Sequence, residues 1–282
     1  MRSKGEQILV MKASGEMEVF ESVKLLQSLT RAGADEHMAR QILQEIEPWL
    51  HDGVTTRKIY VKALGMLRQR MKVSAGRYRI KDALMELGNS GRPFEIFIGE
   101  LFKKKGFDVE TGIVVDGKSI THEMDVIATS GKEQHLVECK YSQMQGNYVS
   151  IQVPLYVHSR VNDIIAYRSE QDAYKHLVFF GWVATNTRFS PDSVKYASDY
   201  GLKLLSWNYP AGNSVRDLIE REHIFPITVL SSLADRDKEK LLAQNIVTCS
   251  QLLSSISVLS GIGLSPGKIK KVQDEIIAVH KK

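Results

Sequence analysis

Apolar and polar positions along the chain alternate first with strand and then with helical spacing. Gln7 to Lys12 has strand periodicity, Ser14-Gly15 supplies a turn, and Met17 to Phe20 closes a short hairpin. Ser22 then caps a helix through Val23, Leu25, Leu26 and Leu29 that ends at Ala32-Gly33, and Met38, Ile42 and Ile46 mark a second. A third begins after Gly53 at Thr55-Thr56, with Ile59, Ala63, Leu64 and Leu67 on its apolar face. From Val73 to Gly91 the pattern weakens to a connector with one short helix, Ile80 to Leu87, between glycine-rich ends that suggest a hinge.

The strongest period-two signal follows. Met124 to Ala128 and His135 to Cys139 read as strands of a β-hairpin around a Ser-Gly-Lys turn. Beyond it, Val149 to Arg168 reads as a helix, Leu177 to Thr185 as a buried central strand, Ser193 to Tyr200 as a helix and Leu202 to Trp207 as a last strand. From Ile227 the chain is helical, and Leu230, Leu233, Leu241, Leu242, Ile246, Leu252 and Leu253 supply a small core. The whole is an α/β (α+β multidomain) chain, with expected segments 1–72, 73–91, 92–226 and 227–282; helices alternating with strands after the hairpin predict a mixed sheet flanked by helices.

Composition narrows the class. With 282 residues, 43% of them hydrophobic, the chain can bury more than one core, and no apolar run reaches the length of a membrane span. Two distant cysteines, Cys139 and Cys249, support neither a zinc site nor a disulfide framework, so a soluble, cytoplasmic protein is expected. The net charge of +5 is mild, but six basic residues (Arg68, Arg70, Lys72, Arg77, Arg79, Lys81) and no acid lie between Gly65 and Lys81. That stretch suits either a phosphate backbone or a solvated helix face and linker.

Polar residues interrupt the central hairpin where a buried sheet should have none. Asp125 sits inside Met-Asp-Val-Ile-Ala, and Glu138 and Lys140 flank Cys139. Side chains alternate along a strand, so Glu138 and Lys140 share a face, and pairing of Asp125 across the hairpin would bring two carboxylates and an ammonium together. Two hard carboxylates can hold Mg²⁺ with most of its waters, and the ammonium can orient or help deprotonate one of them. The alternative is a solvated hairpin with an ordinary surface ion pair, against which Val126, Ile127, Leu136 and Val137 mark buried strands.

The order Pro93-Phe94-Glu95 opening a helix, Gly106-Phe107-Asp108-Val109 ending it, Glu123-Met124-Asp125 and Val137-Glu138-Cys139-Lys140 resembles the PD-(D/E)XK nuclease superfamily, nearest to modification-dependent restriction endonucleases and archaeal junction resolvases. The string Thr185 to Ser190 with Ala197 and Gly201-Leu202 resembles the restriction-endonuclease relatives as well. The resemblance implies a nuclease domain over 92–226 using Mg²⁺ or Mn²⁺. Asp125 and Glu138 would be metal ligands, Lys140 the catalytic lysine, Glu95 the helix acid that completes the site and Gln152 a site glutamine on the next helix. No Pro precedes Asp125, a departure from the common pattern.

A second resemblance covers the start of the chain. Val10-Met11-Lys12-Ala13-Ser14-Gly15, Glu18-Val19-Phe20, Val23-Lys24-Leu25 and Gly53 to Ile59 resemble the ATP-cone, a nucleotide-sensing module. It implies ATP or dATP as effector, with Lys12 and Lys24 meeting phosphates, Thr56 capping the site, and Val10 and Leu25 flanking the base. The family commonly has Lys-Arg where this chain has Lys12-Ala13, and often His in place of Tyr60. In the C-terminal segment, Gly261-Ile262-Gly263 before Pro266-Gly267-Lys268 resembles the glycine turn of a helix-hairpin-helix, with five lysines and two acids between 268 and 282; a plain helical end is the other reading.

Together these imply a Mg²⁺-dependent DNA endonuclease, regulated by ATP or dATP and used in restriction or defence. Its partners would be DNA and an adenine nucleotide, with no membrane, and the two cuts of a duplex suggest a homodimer. A non-catalytic nucleotide-sensing DNA-binding regulator and a structure-selective repair nuclease are the alternatives.

Overall fold

A computed structural model describes residues 7–71 and 76–281. Lys72 of the basic stretch, Val73 to Ala75 of the connector and Lys282 lie outside the described residues. The chain divides into two compact units, one of Met1–Asp82, Val229–Leu233 and Leu259–Lys282, the other of Ala83–Thr228 and Ala234–Val258.

In the first unit, β1 (Leu9–Met11) pairs antiparallel with β2 (Met17–Val19), shorter strands than the pattern predicts because a two-stranded ribbon frays quickly. Helices α1 (Ser22–Arg31), α2 (Glu36–Ile46) and α3 (Thr56–Arg70) follow. Asp35 caps α2 by accepting from the Met38 N–H, and Thr55 caps α3 by accepting from Lys58. Ser22 does not act as a cap, since it is the first residue of α1 and the preceding Glu21 makes no side-chain cap. Leu29, Ile42, Ile46 and Leu67 are fully buried where these helices meet. The long C-terminal helix, Pro266–His280, belongs to the same unit; its Glu275 accepts from Ser231 and Ser232, and the Arg77 guanidinium donates to the carbonyl of Val279. The turn before it contains Gly263 at φ 93°.

The second unit is built on a five-stranded mixed sheet in the order β3-β4-β5-β7-β9. These strands are β3 (Asp108–Asp116), β4 (Thr121–Thr129), β5 (Glu133–Lys140), β7 (Val178–Thr185) and β9 (Lys203–Leu205). The pairs β3/β4 and β4/β5 are antiparallel, whereas β5/β7 and β7/β9 are parallel. A small parallel pair, β6 (Tyr148–Val149) with β8 (Arg188–Phe189), lies beside it.

Helices cover both faces. On one, α5 (Arg92–Lys104) comes so close at Gly99 that an added Cβ would touch Val109 and Thr111 at 3.1 and 3.2 Å. On the other, Val157, Val161 and Ile164 of α6 (Gln152–Arg168) join Ile127, Leu136 and Val183 in one core. A short helix, α4 (Ile80–Met85), ends two residues before its expected boundary, and α7 (Pro191–Tyr200) is held by its Ser190 cap. The unit is completed by α8 (Val215–Glu222), α9 (Asp235–Leu242) and α10 (Cys249–Ser254), then α11 (Val258–Gly261) leads into the long C-terminal helix, α12. Among the described residues no helix is long and apolar enough to cross a membrane.

The period-two signal finds β4 and β5 but not β3. That edge strand alternates in exposure, but polar Thr111 takes a half-buried position and apolar Val114 an exposed one, which blurs the alternation in the sequence. The C-terminal leucines also differ from the single core expected of them: Leu253 is exposed, Leu230 and Leu233 belong to the first unit, and Leu241, Leu242 and Leu252 to the second.

Asp163 of α6 ties down the β3–β4 connection, accepting from the Ser119 N–H at 2.9 Å and pairing with His122 Nε2 at 2.8 Å. Chiefly through His122, the carboxyl is held at about 2, below its ordinary 3.8. A depressed folded value stabilises above the ordinary value and is lost as pH falls through the folded one. Urea unfolding is therefore expected to show stability falling between about pH 4 and pH 2. Asp163→Asn is expected to be less stable at neutral pH and to lose less across that window.

Candidate active site

The register of the sheet decides which side chains meet. Val126 lies opposite Val137, the last pair of the β4/β5 ladder, so Asp125 and Glu138 are the next residues outward on the two strands. Glu138 lies on the α6 side with Leu136, where Arg160 reaches it, and its charge acts on Asp125. Here β5 ends against a parallel partner, with Glu138 beside Val183 and Lys140 beside Thr185. The carboxylates therefore sit where the antiparallel half of the sheet gives way to the parallel half.

Each is held by specific bonds. Asp125 Oδ2 accepts the Cys139 N–H at 2.6 Å, and Glu138 Oε1 meets Lys140 Nζ at 2.6 Å. Glu138 is nearly buried, at 5% exposure. Burial, and after it the Glu138 carboxylate, pushes Asp125 up to about 7; Glu95 adds to the same pressure, against the Cys139 N–H and Lys140. The site is therefore short of positive charge at Asp125.

Glu95 enters from the first turn of α5, where its Oε2 is 3.1 Å from Arg92. Arg92 also donates to the carbonyl and hydroxyl of Thr111. Gly112, between the Thr111–Val126 and Ile113–Met124 pairs, lies opposite Asp125 with φ 62°. An added Cβ there would meet the Arg92 guanidinium at 2.3 Å. Glycine thus lets the Arg92–Glu95 pair lie against the strand beside Asp125. Gln152 opens α6 and is exposed; among the described residues no hydrogen bond joins it to the carboxylates.

Two features escape the sequence pattern. Arg160, two turns along α6, places its NH1 2.6 Å from Glu138 Oε2 and its NH2 on the carbonyl of Glu123. The exit of β5 is clamped as well: Thr185 donates its hydroxyl to the Lys140 carbonyl at 2.6 Å, while Asn186 bonds both the N–H and the carbonyl of Ser142. Helical spacing from Gln152 through Tyr156 to Arg160 was the one available signal for the arginine.

In the first unit, Val10, Leu25, Lys24 and Thr56 line one cavity of about 170 Å³, with the stacked rings of Tyr60 and Tyr78 in its wall. Lys12 is not in the lining, but it and Lys24 converge on Glu18 Oε2, at 2.6 and 3.7 Å. Lys12, as the largest influence, holds the Glu18 carboxyl below its usual range, and Glu21 raises Lys24. Part of the basic stretch already has partners: Arg70 pairs at the surface with Glu45, at 2.5 Å, and Arg77 holds the end of α12. Burial lowers Arg77 as well.

Residues 87–208 match the restriction endonuclease family model Mrr_cat, and residues 225–280 match the model described as AF1548-like, C-terminal. An uncharacterized protein of Archaeoglobus fulgidus is 31% identical over 189 residues, spanning 66% of this chain and 98% of the relative. The crystal structure of a protein of unknown function, AF1548, superimposes with a TM-score of 0.56 at 27% identity, covering 68% of this chain and 98% of that one. The MspJI restriction endonuclease in complex with a 27-mer oligonucleotide matches at a TM-score of 0.34 and 15% identity, over 71% of this chain and 41% of that one.

Gly112→Ala is expected to cost about 1–3 kcal/mol, because the methyl group must displace Arg92 while the backbone stays left-handed. Urea unfolding of parent and variant measures it; an unchanged midpoint would show that Arg92 moves aside freely.

Proposed function

Because the chain belongs to the family of the uncharacterized Archaeoglobus fulgidus protein and carries a restriction-endonuclease domain, we propose that it is a metal-dependent deoxyribonuclease of the restriction type, regulated by an adenine nucleotide. The observation that carries the nuclease reading is the neighbouring pair Asp125 and Glu138, with Lys140 on the same strand face as Glu138. Neighbouring, largely buried carboxylates, one of them raised to about 7, are the donor set a hard divalent cation relieves. Mg²⁺ and Mn²⁺ retain waters and take further oxygens from a phosphodiester, so a pair of carboxylates is a sufficient share from the protein. Asp125 and Glu138 would hold the ion, which supplies charge stabilisation at phosphate and a more acidic water.

The chain's own residues do the rest. The Cys139 N–H fixes the Asp125 carboxylate, and Lys140, anchored through Thr185 at its carbonyl, carries an ammonium that orients the attacking water or steadies a phosphate oxygen. Glu95, oriented by Arg92, completes the acidic edge, and Gln152 at the exposed start of α6 is left to contact DNA. Cutting both strands of a duplex requires two such centres, which a homodimer provides.

The nucleotide reading is supported by the cavity of the first unit. Apolar Val10 and Leu25 suit a base, Lys24 and Thr56 suit phosphate at the start of α3, and Lys12 stands one carboxylate away. A polyphosphate of ATP or dATP would replace Glu18 as the partner of both lysines.

Asp125→Asn, Glu138→Gln and Lys140→Ala are each expected to abolish Mg²⁺-dependent cleavage while far-UV circular dichroism stays unchanged. Glutamine is chosen at Glu138 because a smaller side chain would strand the buried Arg160. Parent-like cutting of methylated, unmethylated or branched DNA by any of the three would rule out this centre. For the nucleotide, Lys24→Ala is expected to weaken ATP or dATP binding by about one to two decades, the value of a charge-assisted contact of about 1.5–3 kcal/mol. Calorimetric titration measures it, and a parent protein that binds neither nucleotide would remove the regulatory reading while leaving the nuclease intact.

A further inference from the structure

Glu138 is contacted by two cations that are held very differently. Lys140 reaches Oε1 on a flexible stem that is 39% exposed. Arg160 reaches Oε2 from α6 with a side chain that is only 11% exposed, against 7% for the Glu138 side chain itself. Its guanidinium is fixed from further directions: NH2 donates to the Glu123 carbonyl on β4, and the plane lies over the Tyr156 ring at 5.3 Å. Its buried Nε finds no hydrogen-bond acceptor among the described residues. A guanidinium placed for overall stability would be expected to satisfy that donor; this one is placed to meet one carboxylate oxygen and one strand carbonyl at once.

We propose that Arg160 is a positioning residue of the nuclease centre, fixing the Glu138 carboxylate through Oε2 and the β4 backbone so that Oε1 is the oxygen left to a divalent cation. The inference rests on the metal-dependent reading above and adds a division of labour to it. Arg160 is anchored to a main-chain carbonyl of the strand that also carries Asp125, so it sets one ligand relative to the other. Lys140 is the cation that gives way at Oε1, since its side chain is far more exposed than that of Arg160. Outer partners of this kind orient metal ligands, and their loss characteristically weakens metal binding by about 10- to 100-fold.

The test is calorimetric titration of Mn²⁺ into the full chain without DNA, so its readout is affinity and not turnover. Arg160→Ala is expected to weaken Mn²⁺ binding by about 10- to 100-fold. Arg160→Lys keeps the charge but not the two-pronged hold, and is expected to weaken it by more than about fivefold. Lys140→Ala is expected to bind Mn²⁺ at least as tightly as the parent, an outcome that general loosening of the site would not give. Circular dichroism establishes that each variant is folded; should Arg160→Ala fail to fold, Arg160→Lys decides alone. Parent-like binding by a folded Arg160 variant would overturn the proposal, and tighter binding would overturn it and make the arginine a competitor of the metal. A parent that binds no Mn²⁺ would overturn the metal-dependent reading as well, whereas a binding parent with unaffected variants overturns only the role given to Arg160.

Discussion

Placing two carboxylates on adjacent strands of a β-sheet is the constraint around which the second unit is arranged. Burial raises the proton affinity of a carboxyl group, and a neighbouring carboxylate adds to that cost. Asp125 feels both effects, and the backbone N–H of Cys139 offsets them only in part. Strand β5 can hold Glu138 in place because it is paired antiparallel to β4 as far as Val137 and parallel to β7 along its whole length to Lys140. A central strand of this kind resists the local fraying that would otherwise hydrate Glu138.

The neighbouring features follow from that constraint. Lys140 and Arg160 neutralise Glu138 from opposite oxygens. Gly112 clears the strand across from Asp125, where Arg92 comes in with Glu95 beside it. Thr185 and Asn186, both buried, replace with side-chain bonds the ladder that β5 loses as it leaves the sheet. These two polar residues are expensive to bury, and the bonds they make to Lys140 and Ser142 account for their position.

The first unit applies the same economy to cations. Lys12 and Lys24 come from different elements, β-hairpin and helix, yet share one carboxylate at the edge of an apolar cavity. Its wall includes Tyr78, from the segment beyond α3 that reads as connector in the sequence, stacked on Tyr60 at 5.0 Å. The neighbouring Arg77 is committed to the C-terminal end of α12, so the described connector residues up to Asp82 are part of this unit's structure.

The sequence by itself determined the hairpin, the helices with strong apolar periodicity, and the identity of the acidic and basic residues on it. Alternation placed Glu138 and Lys140 on one face without any tertiary information, because the side-chain period of a strand is a local property. Local pattern did not supply β3, because Thr111 inside and Val114 outside break its alternation, nor the division of the C-terminal leucines between two units. Nor could it supply Arg160, Thr185, Asn186 or Tyr78 as neighbours of the two candidate sites. Those contacts join residues separated by tens of positions, and they exist only because sheet register and helix packing bring one particular atom within bonding distance of another. Periodicity fixes which way a side chain points along its own element; tertiary structure alone fixes what it meets there.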